Sequence, residues 1–274
     1  MSILVTGGRG AVARSLSARL AAHGLPHRVA SRAPDAPPGT VRCDLTDPST
    51  FPAALRGIHS VFLYAEATAV ERFVEEAVAA GVEHIVLLSS SSVLGPGAAD
   101  SPLSAAHLAV EQALEASPLR ATLLRPGSFA GNALGWARPL ASGRPVHLPY
   151  PGAHTDPVHE ADLAEAAFTV LTDPARAGGA HTLTGPQSLT FAEQLAILGS
   201  VLGRPLPFEA VPARRWRAEA EGHIPGPYAD ALLDFWAASD GVPVETTDAV
   251  EQLTGHPPRT FETWCRDHAE AFAA

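Results

Sequence analysis

The sequence predicts an α/β protein, a doubly wound parallel sheet with a smaller, interleaved C-terminal lobe. Three patterns carry that prediction. Short, almost continuously apolar runs alternate with stretches of helical spacing through the first 131 residues. Parallel strands buried on both faces, and the helices that cover them, produce this texture. A glycine-rich turn, TGGRGAVA at residues 6–13, stands between the first strand and the first helix. Beyond residue 131 the alternation gives way to longer Gly/Pro-rich loops, yet AHTLTG at residues 180–185 still reads as one more sheet strand.

Taken in order, residues 3–6 form an apolar run ending in glycines, and Val12, Leu16 and Leu20 share one face of a helix over 12–23. Strands are expected at 26–30 and near 40–43. A helix near 49–55, a strand at 60–64, a helix near 70–80 and a strand at 84–88 continue the alternation. The helix containing LSAAHLAVEQAL, residues 103–114, comes next, followed by a strand at 121–124 that runs into RPGSF. Later, TFAE at 190–193 has the form of a capping box, with Thr190 at the cap and Glu193 three residues on. The expected division is a sheet core over 1–131 and mainly a covering lobe over 132–274, with the strand near 180–185 returning to the core.

Composition narrows the function. A chain of 274 residues with 46% apolar content can fill a real core. The formal charge of -10 argues against nucleic acid or an anionic membrane as partner, because phosphate-binding surfaces need a surplus of cations. Two cysteines, Cys43 and Cys265, lie far apart without a CxxC or disulfide framework. No signal peptide or membrane-spanning run is visible, so a cytoplasmic location is expected.

The turn at 6–13 follows a strand and opens a helix, the context a dinucleotide fingerprint requires. Gly7 permits the tight turn, Gly10 lets backbone approach a diphosphate, and small Ala13 lets the helix pack closely. Thr6, Gly7, Arg9, Gly10, Ala11 and Val12 are therefore expected around the diphosphate, which the free N–H groups of the helix start would face. The spacing Gly7, Gly10, Ala13 differs from the strict GxGxxG of the Rossmann fingerprint, and a tight turn without a ligand is the competing reading. Where an acid would bind an adenosine 2′-hydroxyl, the second strand ends in VASRAP. Ser31 and Arg32 offer a hydroxyl and a cation instead, so NADP(H) is favoured over NAD(H), with Arg9 a second cation for the phosphate. Asp44, followed by Leu45, ends the third strand; it suits the adenine amino group or, almost equally, a local turn.

In the order TGGRGAVA, SRAP, CDLTDP, VFLYAEA, HIVLLSSSS, HLAVEQAL, LLRPGSFAGN and LTGPQSLTFAEQLAILGSVLGRPLPFEAVP, the chain resembles atypical short-chain dehydrogenases/reductases of the NmrA-like group. That group includes NAD(P)H:quinone oxidoreductases and triphenylmethane reductases. The resemblance implies NAD(P)H binding and a C-terminal part that shapes the substrate pocket. Short-chain dehydrogenases carry a Tyr-x-x-x-Lys pair on the helix before the sixth strand. Here Leu103 takes the tyrosine position and His107 the lysine position, as in the quinone-reductase branch, where the ring binds cofactor. An ordinary buried histidine is the competing reading, and a pKa near neutrality leaves proton donation open.

The resemblance also places Ser90 nearest the family's substrate-facing serine, with Ser89 beside the cofactor. Tyr64, Ala65 and Glu66 lie where ligands bind at the carboxyl edge of open sheets. Glu66 is a general-acid candidate if its pKa is raised; otherwise it is a solvated helix-start carboxylate. Pro126, Gly127 and Phe129 look like the segment that covers the nicotinamide, and Asn132 could reach substrate. His154, His159, Glu160 and Asp162 match no zinc spacing, and the two acids are better read as first-turn residues of the next helix. No metal is expected, and no GxSxG elbow suggests a hydrolase.

Catalytic candidates are therefore His107, Ser90, Glu66 and Tyr64. The expected activity is hydride transfer from NADPH to a small electron-poor acceptor: a quinone, an enone or an imine-like carbon. Alternatives are a redox-responsive NAD(P)-binding regulator and a redox-neutral cyclase or isomerase. The aromatic helices GPYADALLDFWAAS and TFETWCRDHAEAF suit a pocket cover, a homodimer contact or a core role equally.

Overall fold

A computed structural model of the chain describes residues 2–32 and 39–272. The apolar runs become seven strands of one sheet: β1 (Ile3–Val5), β2 (His27–Ser31), β3 (Val41–Arg42), β4 (Ser60–Tyr64), β5 (His84–Leu88), β6 (Arg120–Pro126) and β9 (Gly179–Leu183). Their order is β3-β2-β1-β4-β5-β6-β9, and every neighbouring pair is parallel. The chain reverses direction across the sheet between β1 and β4, the switch point at which open α/β sheets form a crevice for ligands.

Near-continuous apolarity has a direct cause, since successive side chains point to opposite faces and both faces are covered. Ile3, Val5, Phe62, Val86, Leu88 and Leu124 join one buried cluster with residues of helices α1 (Ala11–Ala22), α6 (Glu160–Thr172) and α10 (Ala249–Thr254). Leu4, Val61, Leu63, Ile85, Leu87 and Leu123 join the other, with α2 (Phe51–Leu55), α3 (Val70–Ala79) and α4 (Ala105–Glu115). The expected helix near 49–55 is split: Asp47 accepts the Ser49 N–H and caps a 3₁₀ turn at Pro48–Thr50 before α2 begins.

A third apolar cluster lies outside the two sheet faces. It gathers the 3₁₀ segment Ala130–Trp136, α5 (Ala137–Ala141), β7 (Val146–Leu148), α7 (Phe191–Val201) and α11 (Phe261–Asp267). β7 pairs with β11 (Phe208–Ala210), and β8 (His154–Thr155) pairs with β10 (Leu189–Thr190). Thr190 and Glu193 form the expected capping box at the start of α7. Of the aromatic helices, α11 contributes buried Phe261 and Trp264 to the core, whereas α9 (Gly226–Ala238) leaves Tyr228 and Phe235 exposed; α8 (Ala213–Glu219) precedes it. Among the described residues no helix is long and apolar enough to cross a membrane.

Candidate active site

The glycine turn closes on itself. Gly7 has φ +63, Gly10 N–H donates to the Gly7 carbonyl at 2.8 Å, and Gly8 N–H donates to Ala30 at 3.0 Å. Buried Thr6 stitches β1 to β4: its hydroxyl donates to the Phe62 carbonyl at 3.0 Å and accepts from Tyr64 N–H at 2.9 Å. Gly10 caps α1 without any side-chain hydrogen bond, and the first turn carries no acid. Gly7, Arg9 and Ala11 are exposed on this turn, while Val12 is buried in the core.

Tyr64 corrects one expectation. Its ring lies across the glycines: a Cβ on Gly7 would come 2.5 Å from Cδ2, and one on Gly10 would come 2.3 Å from Oη. Burial pushes its pKa up, against a hydrogen bond with the Ala13 backbone. Tyr64 is thus a wall of the turn, with its hydroxyl committed to the start of α1, and not a catalytic acid facing substrate.

At the end of β2, Ser31 is buried and Arg32 is exposed; Ala33 and Pro34 of the SRAP run lie outside the described residues. Asp44 takes the Thr46 N–H and hydroxyl on Oδ1 at 3.0 and 2.8 Å, which is a local turn. Leu45 and Ala65 pack against the core face below. Glu66 overturns a second expectation. It accepts the Thr68 hydroxyl at 2.6 Å and the Thr68 N–H at 3.0 Å, and these bonds hold its carboxyl below the ordinary carboxylate value. The raised pKa that a general-acid role for Glu66 required is therefore not found. The field of Arg32 reaches both Asp44 and Glu66, so the fold brings these three together at one edge.

The other half of the candidate site is built on β5, β6 and α4. Ser89 donates to Glu111 Oε1 at 2.5 Å, and Arg125 grips the same carboxylate with Nε at 3.0 Å and Nη2 at 2.6 Å. Glu111 is 2% exposed, so this bidentate pair fastens α4 to the ends of β5 and β6. One helical turn earlier stands His107. Its Nδ1 is buried and has no hydrogen-bond partner, and burial lowers its pKa against the opposing pull of Glu111. The ring is therefore neutral at physiological pH, which removes an imidazolium proton donor but leaves an orphaned polar atom. Ser90 Oγ accepts the Ser92 N–H at 3.2 Å and its hydroxyl at 2.9 Å, capping the 3₁₀ turn Ser91–Leu94.

After β6, Gly127 N–H donates to Leu183 and Ser128 N–H donates to Asp156 Oδ1, both at 2.9 Å; Phe129 bridges to Val158. Asn132 is exposed. A chain of edge-to-face aromatics, Trp136, Phe191, Trp236 and Trp216, lines the lobe beyond. Glu160 and Asp162 do stand in the first turn of α6, but each also holds a distant group. Glu160 accepts from Gly131 N–H and Trp264 Nε1, and Asp162 from Arg259. Asp162, Glu165 and His256 offer atoms within 4.8 Å of one another, a spacing that could hold a cation, but the guanidinium groups of Arg19 and Arg259 already neutralise them.

Residues 7–174 match a family model described as NAD(P)H-binding. The chain belongs to the NAD(P)H-binding family. Within it, the chain is 37% identical to the (4-alkanoyl-5-oxo-2,5-dihydrofuran-3-yl)methyl phosphate reductase of Streptomyces griseus, covering 99% of each chain. It is 30% identical to the NAD(P)H azoreductase of Xenophilus azovorans, again over 99% of each. Its fold is shared by the NADPH-dependent quinone oxidoreductase of Escherichia coli complexed with NADPH, with TM-score 0.80, 23% identity and coverage of 98% and 99% of the two chains. The resemblance seen in the motifs therefore holds, and this member of the family is an NAD(P)H-dependent oxidoreductase. Two residues that the sequence analysis gave no role, Arg125 and Asp156, stand at the same edge of the sheet. Arg125 is signalled only by the RPGSF run, and Asp156 lay within a stretch weighed for metal.

Proposed function

We propose that the chain uses NADPH to reduce the conjugated carbon–carbon double bond of a small, doubly activated enone of the acyl-butenolide class. The observation that carries this reading is the state of α4. Leu103 and His107 stand where a tyrosine and lysine would be, all 19 cationic residues are arginine, and His107 is neutral with Nδ1 unpartnered. Such a helix lacks the strong acid that a simple ketone needs. A ring double bond flanked by a lactone and an alkanoyl carbonyl, as in the substrate named for the Streptomyces griseus relative, spreads the developing negative charge over two oxygens. It needs less help.

Two features fit a bound dinucleotide: a first turn of α1 that carries no acid and the orphaned His107 Nδ1. When bound, the reduced nicotinamide supplies hydride. In this reading Gly7, Arg9, Gly10, Ala11 and Val12 hold the diphosphate, behind Thr6, and Ser31 and Arg32 hold the 2′-phosphate. Asp44, Leu45 and Ala65 border the adenosine. Ser89, His107, Pro126, Gly127 and Phe129 border the nicotinamide, where His107 Nδ1 finds its missing partner. Ser90 faces the substrate and the aromatic chain of the lobe keeps water from it.

The test follows NADPH absorbance with an acyl-butenolide, a quinone and an azo dye, each repeated with NADH. Turnover of the butenolide with NADPH clearly ahead of NADH is expected. Tight NADPH binding without oxidation by any acceptor would remove the reading, and tighter NADH binding would remove the role given to Arg32.

A further inference from the structure

Hydrogen bonds hold the Glu66 carboxyl below its ordinary value, Tyr64 is walled into the glycine turn, and burial lowers His107. One carboxyl group has a different environment. Asp156 follows β8 and reaches back across the end of β6. Its Oδ1 accepts the Ser128 N–H at 2.9 Å, and its Oδ2 lies over Gly127, where a Cβ would be only 1.9 Å away. Gly127 is thus the residue that lets a carboxyl group occupy the carboxyl edge of the sheet, one strand from Ser89 and Ser90.

Among the described residues no ion pair to Asp156 is found. Of the ionisable residues on the adjoining segments, Arg125 is turned to Glu111, His154 to Ser188, His159 to Asp267, and Glu160 to Gly131 and Trp264. Burial raises the Asp156 pKa to about 6, against the opposing hydrogen bonds of Ser128 and of its own backbone. Every other carboxyl with a resolved shift among the described residues moves down.

The geometry points to Asp156 as the proton donor of the reduction, an inference that rests on the enone reading above. A bound reduced dinucleotide would supply hydride, two electrons and a hydrogen, to the β-carbon and be oxidised in turn, with the double-bond electrons passing to the carbonyl oxygens. The α-carbon of that enolate then takes the Asp156 proton, and solvent restores it to the carboxylate.

Asp156→Asn keeps an oxygen for the Ser128 N–H and removes only the proton. We expect it to lower kcat for an acyl-butenolide by about a hundredfold, within the usual range for general acids, with NADPH binding by intrinsic fluorescence retained. It should also abolish the fall of kcat as pH rises through about 6. Wild-type kcat and an unaltered profile in this variant would overturn the proposal. A second readout does not depend on turnover: the carboxyl carbon of Asp156, followed by NMR in the native chain, should titrate near 6 and shift its midpoint when NADPH saturates the protein. A midpoint at the ordinary aspartate value, or one that NADPH leaves unmoved, would overturn it too. An enzyme that ignores butenolides yet shows the NADPH-linked titration would instead defeat the substrate reading alone.

Discussion

Gly127 and Asp156 contend for one space, since a methyl group on the first would fall 1.9 Å from a carboxylate oxygen of the second. Gly127→Ala is therefore expected to destabilise the protein by about 1–3 kcal/mol through overpacking. In the Asp156→Ala background much of that loss should vanish, because the obstruction has gone; thermal unfolding of the four proteins in a double-mutant cycle measures it. Arg32 makes the opposite kind of case, an exposed cation whose field reaches two carboxylates and whose proposed partner is a phosphate. A charge-assisted hydrogen bond contributes about 1.5–3 kcal/mol. Arg32→Ala should accordingly weaken NADPH binding by roughly ten- to a hundredfold and leave NADH binding almost unchanged. Equal losses for both cofactors in fluorescence titrations would deny it the selecting role.

Helix α6 shows how an element of the core can also anchor the chain around it. Its fully buried Asp162 and its neighbour Glu165 receive Arg259, Arg19 and His256, which ties the segment before α11 to α1 and α6. His256 is raised above 6.5 by its hydrogen bond with the Pro257 carbonyl and then by Glu165. Burial alone would raise Glu165, but hydrogen bonds from Arg259 and His256, with the charges of Arg259 and Arg19, hold it below 4.5. The stability from His256 is complete below 6.5 and fades as pH climbs through its raised folded value; that from Glu165 is present above 4.5 and fades as pH falls through its lowered one. Both are in force between about 4.5 and 6.5. His256→Ala should thus lower the unfolding temperature more at about pH 5.5 than at about pH 8. An equal drop at both would mean that the imidazolium adds nothing.

On the scale of the whole molecule, the site is a seam: the glycine turn, β4, β5, β6 and α4 each contribute one wall, and only the folded chain assembles them. NADPH at about a hundred times its Kd should then stabilise the fold by about 2.7 kcal/mol, a rise of several degrees in Tm, and NADH at the same concentration by less. The order of strands and helices in the seven-stranded sheet, the glycine turn after β1 and the Thr190 capping box were legible in the sequence. Apolar continuity, helical spacing and capping act over a few residues and leave local marks. The acid–base character of the candidate site was not legible. How readily a carboxyl group ionises depends on what surrounds it: the adjoining Thr68 lowers the Glu66 pKa, while Asp156 meets a backbone amide 28 residues away, in space that a side chain on Gly127 would fill. Sequence alone determined the scaffold and the family; tertiary structure decided which groups can hold a proton, because desolvation and hydrogen bonding are set by neighbours in space.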